Sequence, residues 1–393
     1  MRYNGILAGL LMGAAALVTS ASAHDDEELV IGLAMSNTGT FVSVANANEI
    51  AVDMAADEIN RAGGINGMPI RIVKFDTGGD PKQAVLAVEQ FARDKRALAV
   101  VGPFSSSEAR VAFSAGERLG IVQMSMSSSA PGVAAPFKYA FRNTVDEGLV
   151  IEIVLKAMRA KNLIMGKAAI AYATDDAVSK AVGTAVLPEA LVKVAVPVSG
   201  FVDFPYKAFD MSAQVSRLAQ LKPDIVGVGA PPEAMINLAK EMKRQGVDVR
   251  LFAGTTVGDP DLPIRFGGAG EGTIIGSPFY SDLNDAVRTF AKSFAKRAEV
   301  AKIGRTVPNQ TDISSYDIVY LYAEAMKRAG VTGEPSKIAA ERTAIRDELR
   351  KMKEYPALGG KITFRENGDA IKPIYVLEAK GGRWTLFDQL TAD

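Results

Sequence analysis

The feature that most restricts this chain is a regular alternation of short apolar runs with amphipathic stretches, from Leu29 to beyond residue 250. "LVIGLAM" at 29–35 is apolar on both faces, as a strand covered by two layers must be. "NEIAVDMAADEINRAGG" at 48–64 then puts Ile50, Met54 and Ile59 on one helical face and stops at Gly63 and Gly64. "PIRIVKFD", "ALAVVGP" at 97–103 and "IVQMSM" at 121–126 read as further strands. Between them, "DPKQAVLAVEQFARDK" opens a helix with Asp80 and Pro81, and "SSSEARVAFSAGERLG" gives another. Strand and helix in strict succession predict a parallel sheet with helices on both faces.

The same rhythm resumes after "YAFRNTVDEG". "KAAIAYAT", "VKVAVPVS" at 192–199, "PDIVGVGA" and "RLFAGTT" predict strands, with helices near 177–190, 211–221 and 232–245. "GTIIGSPFY" follows as a strand, then helical patterns near 284–300, 312–329 and 336–353. The β-rich end, "GKITFREN", "IKPIYVLEAK" and "GRWTLF", includes a hairpin at "AKGGRW". No low-complexity linker divides the halves, so several short crossovers are expected. The predicted class is α/β with two Rossmann-like lobes, residues 24–146 plus 278–364 and residues 147–277 plus 365–393.

Residue inventory removes most chemistry. The 393 residues contain no cysteine and one histidine, His24, so Ser-His-Asp and Cys-His constellations and Cys- or His-built metal sites are excluded. Neither a metal nor another cofactor is expected. Lys+Arg and Asp+Glu both number 45, leaving no basic field to hold nucleic acid. Residues 1–23 read as a secretory signal: Arg2 is the positive start, Ile6–Val18 an apolar run too short to span a membrane, and "SASA" supplies small residues before His24. The mature protein is expected to be periplasmic, with no Cys to carry a lipid.

Two serine triplets stand out on this frame. "AVVGPFSSSEARVAFSAG" and "GIVQMSMSSSAPG" each close an apolar run on three serines, where one would suffice to cap a helix. In open α/β sheets ligands sit outside the carboxyl ends of the strands, where helices begin. A helix N-terminus with serine hydroxyls suits a small carboxylate without any arginine. A capping serine in a solvated loop is the plainer reading of either triplet alone.

"AGGINGMPIRIVKFDTGGDPKQAV", "VVGPFSSSEARVAFSAGERLGIVQMSMSSSAP" and "ISSYDIVYLYAEAMKRAG", with the exported leader, resemble the periplasmic solute-binding proteins of branched-chain amino acid ABC transporters. These form the type I, or leucine/isoleucine/valine-binding, family, and the resemblance covers essentially the whole mature chain. It implies two lobes closing on a small solute, no catalysis, an inner-membrane ABC permease as partner, and a monomer. The family's carboxylate-binding serine falls on Ser106, its backbone carbonyl on Ser127 or Ser128, and its hydroxyl near carboxylate and amine on Ser129. The acid that holds a ligand ammonium falls on Thr255, followed by Thr256, so no carboxylate stands there.

Positions for aromatic residues that close over amino acids fall near Ala177, near Ala230 or Pro231, and near Val44 with Phe41 close by. A buried ammonium lacking its partner would carry an unrelieved desolvation cost of several kcal/mol. An amine-free, aromatic or otherwise apolar acid is therefore expected, with Phe41, Phe104 and Tyr280 as candidate ring contacts and a branched-chain amino acid as the alternative. Asp175 and Asp176 offer substitute acids or a helix N-cap, and Arg142 is expected to bond structurally at a crossover. A ligand sensor is the rival from another functional class; an exported serine hydrolase lacks a histidine base.

Overall fold

The computed structural model describes residues 28–164 and 166–391. The signal sequence and His24 lie outside them. Five parallel strands form the first sheet: β1 (Leu29–Met35), β2 (Ile70–Asp76), β3 (Ala99–Val101), β4 (Val122–Ser125) and β5 (Ala140–Arg142), in the order β2-β1-β3-β4-β5. Leu29, Ile31 and Leu33 pack on one face, and Val30 and Ala34 on the other. That two-sided burial is why β1 reads as an unbroken apolar run.

The second sheet begins with β6 (Ala168–Ala173), β7 (Val198–Phe204), β8 (Ile225–Gly229), β9 (Arg250–Ala253) and β10 (Ile274–Ser277), all parallel. A small antiparallel unit follows, β11 (Tyr355–Ala357), β12 (Gly360–Phe364) and β13 (Ala370–Ile371). The hairpin of β14 (Pro373–Lys380) and β15 (Arg383–Thr391) then pairs antiparallel with β10, giving β15-β14-β10-β9-β8-β6-β7. The "AKGGRW" hairpin is thus present.

The chain passes between the two bodies at 143–146, 278–284 and Lys372. Because β13 pairs with β12, residues 370–371 stay with the body that carries β11 and β12, past the expected boundary at 364. "VKVAVPVS" is the clearest local misreading. Val192 and Lys193 finish the helix Leu187–Lys193, Ala195 turns with φ of 51°, and the strand starts only at Val198. An apolar run straddling a helix end and a turn mimics a buried strand when only hydropathy is read.

A candidate solute-binding cleft

A cleft between the bodies holds about 660 Å³ of empty space, part of it open to solvent. Its wall comes from the first body through Phe41, Val44, Phe104, Ser106, Ser127 and Ser129. The second contributes Asp176, Val178, Tyr206, Pro231 and Thr255. The cleft sits at the carboxyl ends of β3, β4, β8 and β9, where parallel sheets leave room for a ligand.

The two triplets divide their labour. Ser105 caps the helix Ser106–Leu119: its Oγ accepts from Glu108 N–H at 3.2 Å, while the Glu108 carboxylate accepts from Ser105 N–H at 2.8 Å. Ser106 turns toward the second triplet. Its Oγ accepts from Ala130 N–H at 3.2 Å and from the Ser128 hydroxyl at 3.3 Å. A serine oxygen has two lone pairs and one hydrogen, so both acceptor positions are taken and the O–H remains to donate into the cleft. Ser125 bends the following loop by accepting from Ser127 N–H and Ser128 N–H at 3.3 and 3.0 Å.

Ser106, Ser127, Ser129, Thr255, Phe41 and Phe104 all line the cleft; Ser128 and Ala177 do not. Ser128 is fully buried, and its carbonyl accepts from Arg142 Nη1 at 3.1 Å, so of the two proposed carbonyls only that of Ser127 belongs to a lining residue. Ala177 opens a short helix whose neighbours Asp176, Val178 and Ser179 reach the wall instead. Tyr280 packs at 6.4 Å from Tyr375, in a separate pocket with Trp384, because the chain leaves β10 away from the cleft.

Tyr206 is the aromatic residue that sequence reading missed. It meets Phe41 edge-on at 5.8 Å, Phe41 lies 5.6 Å from Phe104, and Tyr206 packs against the cores of both bodies. Burial pushes its phenol upward, away from ionisation. The residue lies in the irregular stretch after β7, where no periodicity marks it. Its backbone N–H donates to Asp175 at 2.6 Å, which ties that loop to the end of β6.

Among the described residues no lysine or arginine lines the cleft. Asp176 does, as the N-cap that accepts from Ser179 N–H and its hydroxyl at 2.8 Å each, and burial raises its carboxyl. Asp259 is committed to Arg265 at 3.0 Å. Beneath the wall lies Glu147, fully buried, accepting from Thr255 N–H at 2.8 Å and the Thr255 hydroxyl at 2.5 Å. Desolvation pushes its carboxyl up to about 7. Arg142, also fully buried, donates to Asp369, Asp146, and the carbonyls of Ser128 and Ala130, the last at 2.7 Å. It therefore holds the second serine loop from behind.

Comparison with known proteins agrees with this architecture. An amino acid binding protein of Pseudomonas aeruginosa is 28% identical over 66% of this chain and 69% of its own length. The Leu/Ile/Val-binding protein BraC3 of Rhizobium johnstonii is 25% identical over 90% and 92%. The leucine binding protein LivK from Thermotoga maritima superposes with a TM-score of 0.79 at 20% identity, covering 92% of this chain and 98% of that one. A solute binding protein from R. palustris in complex with benzoate gives 0.78 at 18% identity, over 93% and 96%. The family model described as "Periplasmic binding protein" matches residues 28–383, and with two mainly parallel sheets facing one cleft, the chain belongs to that family.

Proposed function

We propose that this protein is the substrate-binding component of an ABC transporter that captures a small carboxylate, with an aromatic or otherwise apolar body, between its two lobes. The observation that carries this reading is Ser106. With both acceptor positions filled from within the protein, its hydroxyl has only a donor to offer, and it sits beside a helix N-terminus in a cleft without basic side chains. Phe41, Phe104 and Tyr206 supply apolar surface for the rest of the ligand. Binding needs no chemical step: a ligand that touches both lobes only when they are shut shifts the open-closed equilibrium toward the form an inner-membrane permease engages. The reading places a monomer in the periplasm. Among the described residues no helix is long and apolar enough to cross a membrane.

A branched-chain amino acid is the second reading, and Asp176 favours it. A carboxyl on the cleft wall offers a charged acceptor for a ligand ammonium, which Thr255 lacks. A thermal-shift screen of the mature protein separates the two, since a ligand of the native state raises the melting temperature by mass action. Stabilisation by amine-free aromatic or aliphatic acids alone supports the first reading. Stabilisation by leucine or valine alone replaces it with the second.

A further inference from the structure

Behind the part of the wall opposite Ser106, hydroxyl directions are fixed by a group no ligand touches. Glu147 begins the helix Glu147–Ala160 at the first crossover and is fully buried. As a carboxylate it only accepts, and Thr255 gives it both its N–H and its O–H. The Ser129 side chain faces the same carboxylate, and Ser129 carbonyl accepts from Glu147 N–H at 2.9 Å. Thr255 Oγ1 therefore has only lone pairs left for the cleft.

A neighbour leans the same way. Gln310 spends its amide N–H on the Thr255 carbonyl at 2.7 Å, which fixes its orientation and leaves Oε1 buried without a partner. Thr256 Oγ1 is likewise buried and unpartnered, but as a hydroxyl it can donate as well as accept, so the acceptor bias rests on Thr255 and Gln310. Both residues line the cleft. Unmet buried acceptors cost about 1–3 kcal/mol each unless something donates to them.

We propose that Glu147 is the positioning residue that sets ligand class: by holding the Thr255 hydroxyl inward it turns this end of the cleft into an acceptor surface, selecting carboxylates that also carry a hydrogen-bond donor. The donor is a hydroxyl, amide or ammonium group. The proposal rests on the carboxylate reading above and narrows it. It also supplies what the Thr255 position alone lacks, since a carboxylate stands one hydroxyl behind it. Glu147 fits there because residue 254 is glycine: a Cβ on Gly254 would come within 1.9 Å of Glu147 Oε1.

The test is calorimetry at pH 8.5, above the titration of Glu147, with two matched pairs: 4-hydroxybenzoate against benzoate, and leucine against 4-methylpentanoate. In at least one pair the donor-bearing acid is expected to bind ~10-fold or more tightly than its donor-free partner, because a site built for a donor rejects the analogue lacking it. Glu147→Gln places an amide N–H against Thr255 Oγ1, frees the threonine hydroxyl to donate, and is expected to collapse that ratio. Thr255→Val should collapse it too, and stands in if Glu147→Gln fails to fold. Acids that bind through Ser106 with no donor preference, or a preference untouched by both variants, overturn the proposal while the carboxylate reading stands. Donor-bearing probes without a carboxylate, 4-hydroxybenzamide and leucinamide, binding as tightly as the acids with the Glu147 dependence intact would keep the donor selection by Glu147 and Thr255 and overturn the carboxylate reading on which the choice of acids rests.

Discussion

At the residue scale, the site turns on which atoms of a few hydroxyls are already spoken for. Ser106→Ala removes an O–H left to donate and is expected to weaken carboxylate binding by about 1–3 kcal/mol, measured by calorimetry against wild type. Glu147 makes a second prediction, in stability. Its ordinary value of 4.5 rises to about 7 in the fold, chiefly by desolvation, with Asp146 adding repulsion and Thr255 and Ser129 opposing it. The Arg142 guanidinium, 2.9 Å from Asp146, moderates that neighbour. The native state thus holds a proton that the unfolded chain releases between those values. The stability this contributes is complete below pH 4.5 and lost as pH rises through 7, about 3 kcal/mol in all. Glu147→Gln should therefore melt progressively higher relative to wild type as pH goes from 5 to 8. A constant difference in melting temperature would show that Glu147 does not titrate in this range.

Ser106 and Thr255 were legible in the sequence because the strand-serine-helix pattern and the resemblance place them. Glu147 and Tyr206 were not. The first sits in a helix start that reads as ordinary capping, and the second in a loop whose direction depends on contacts from Asp175.

At the scale of elements, the alternation of apolar runs and amphipathic helices carried most of the sheets, since strands buried on both faces have no other way to be written. β5 and β11 escaped because each has only three residues, too few to show a periodicity or a bounded apolar run. The slip at "VKVAVPVS" has the same origin: hydropathy cannot tell a helix end from a strand start. Arg142 ties three elements together, bonding Asp369 just before β13, Asp146 at the next helix and the loop after β4. Arg142→Met is expected to cost about 3–5 kcal/mol in urea denaturation, because it strands a mostly buried Asp369 carboxylate. A loss below 1 kcal/mol would mean that the crossover does not depend on this network.

Across the whole molecule, the two bodies meet over the cleft through Phe41 against Tyr206 and Gln310 against the Thr255 carbonyl. The lobe opening that the proposed function requires would separate both pairs, so weakening them should favour the open form. Phe41→Ala is expected to remove about 1 kcal/mol of closed-state contact, to raise the ligand-free radius of gyration in X-ray scattering, and to lower affinity. An unchanged radius together with unchanged affinity would dissociate the aromatic pair from closure.

The most direct test of the central claim is a crystal structure of the complex with whichever acid gives the largest thermal shift. The expected result is a closed molecule whose ligand carboxylate accepts from Ser106 Oγ at about 2.5–3.0 Å, with its apolar part among Phe41, Phe104 and Tyr206. A carboxylate bound elsewhere in the cleft, with Ser106 still facing only protein, would contradict it.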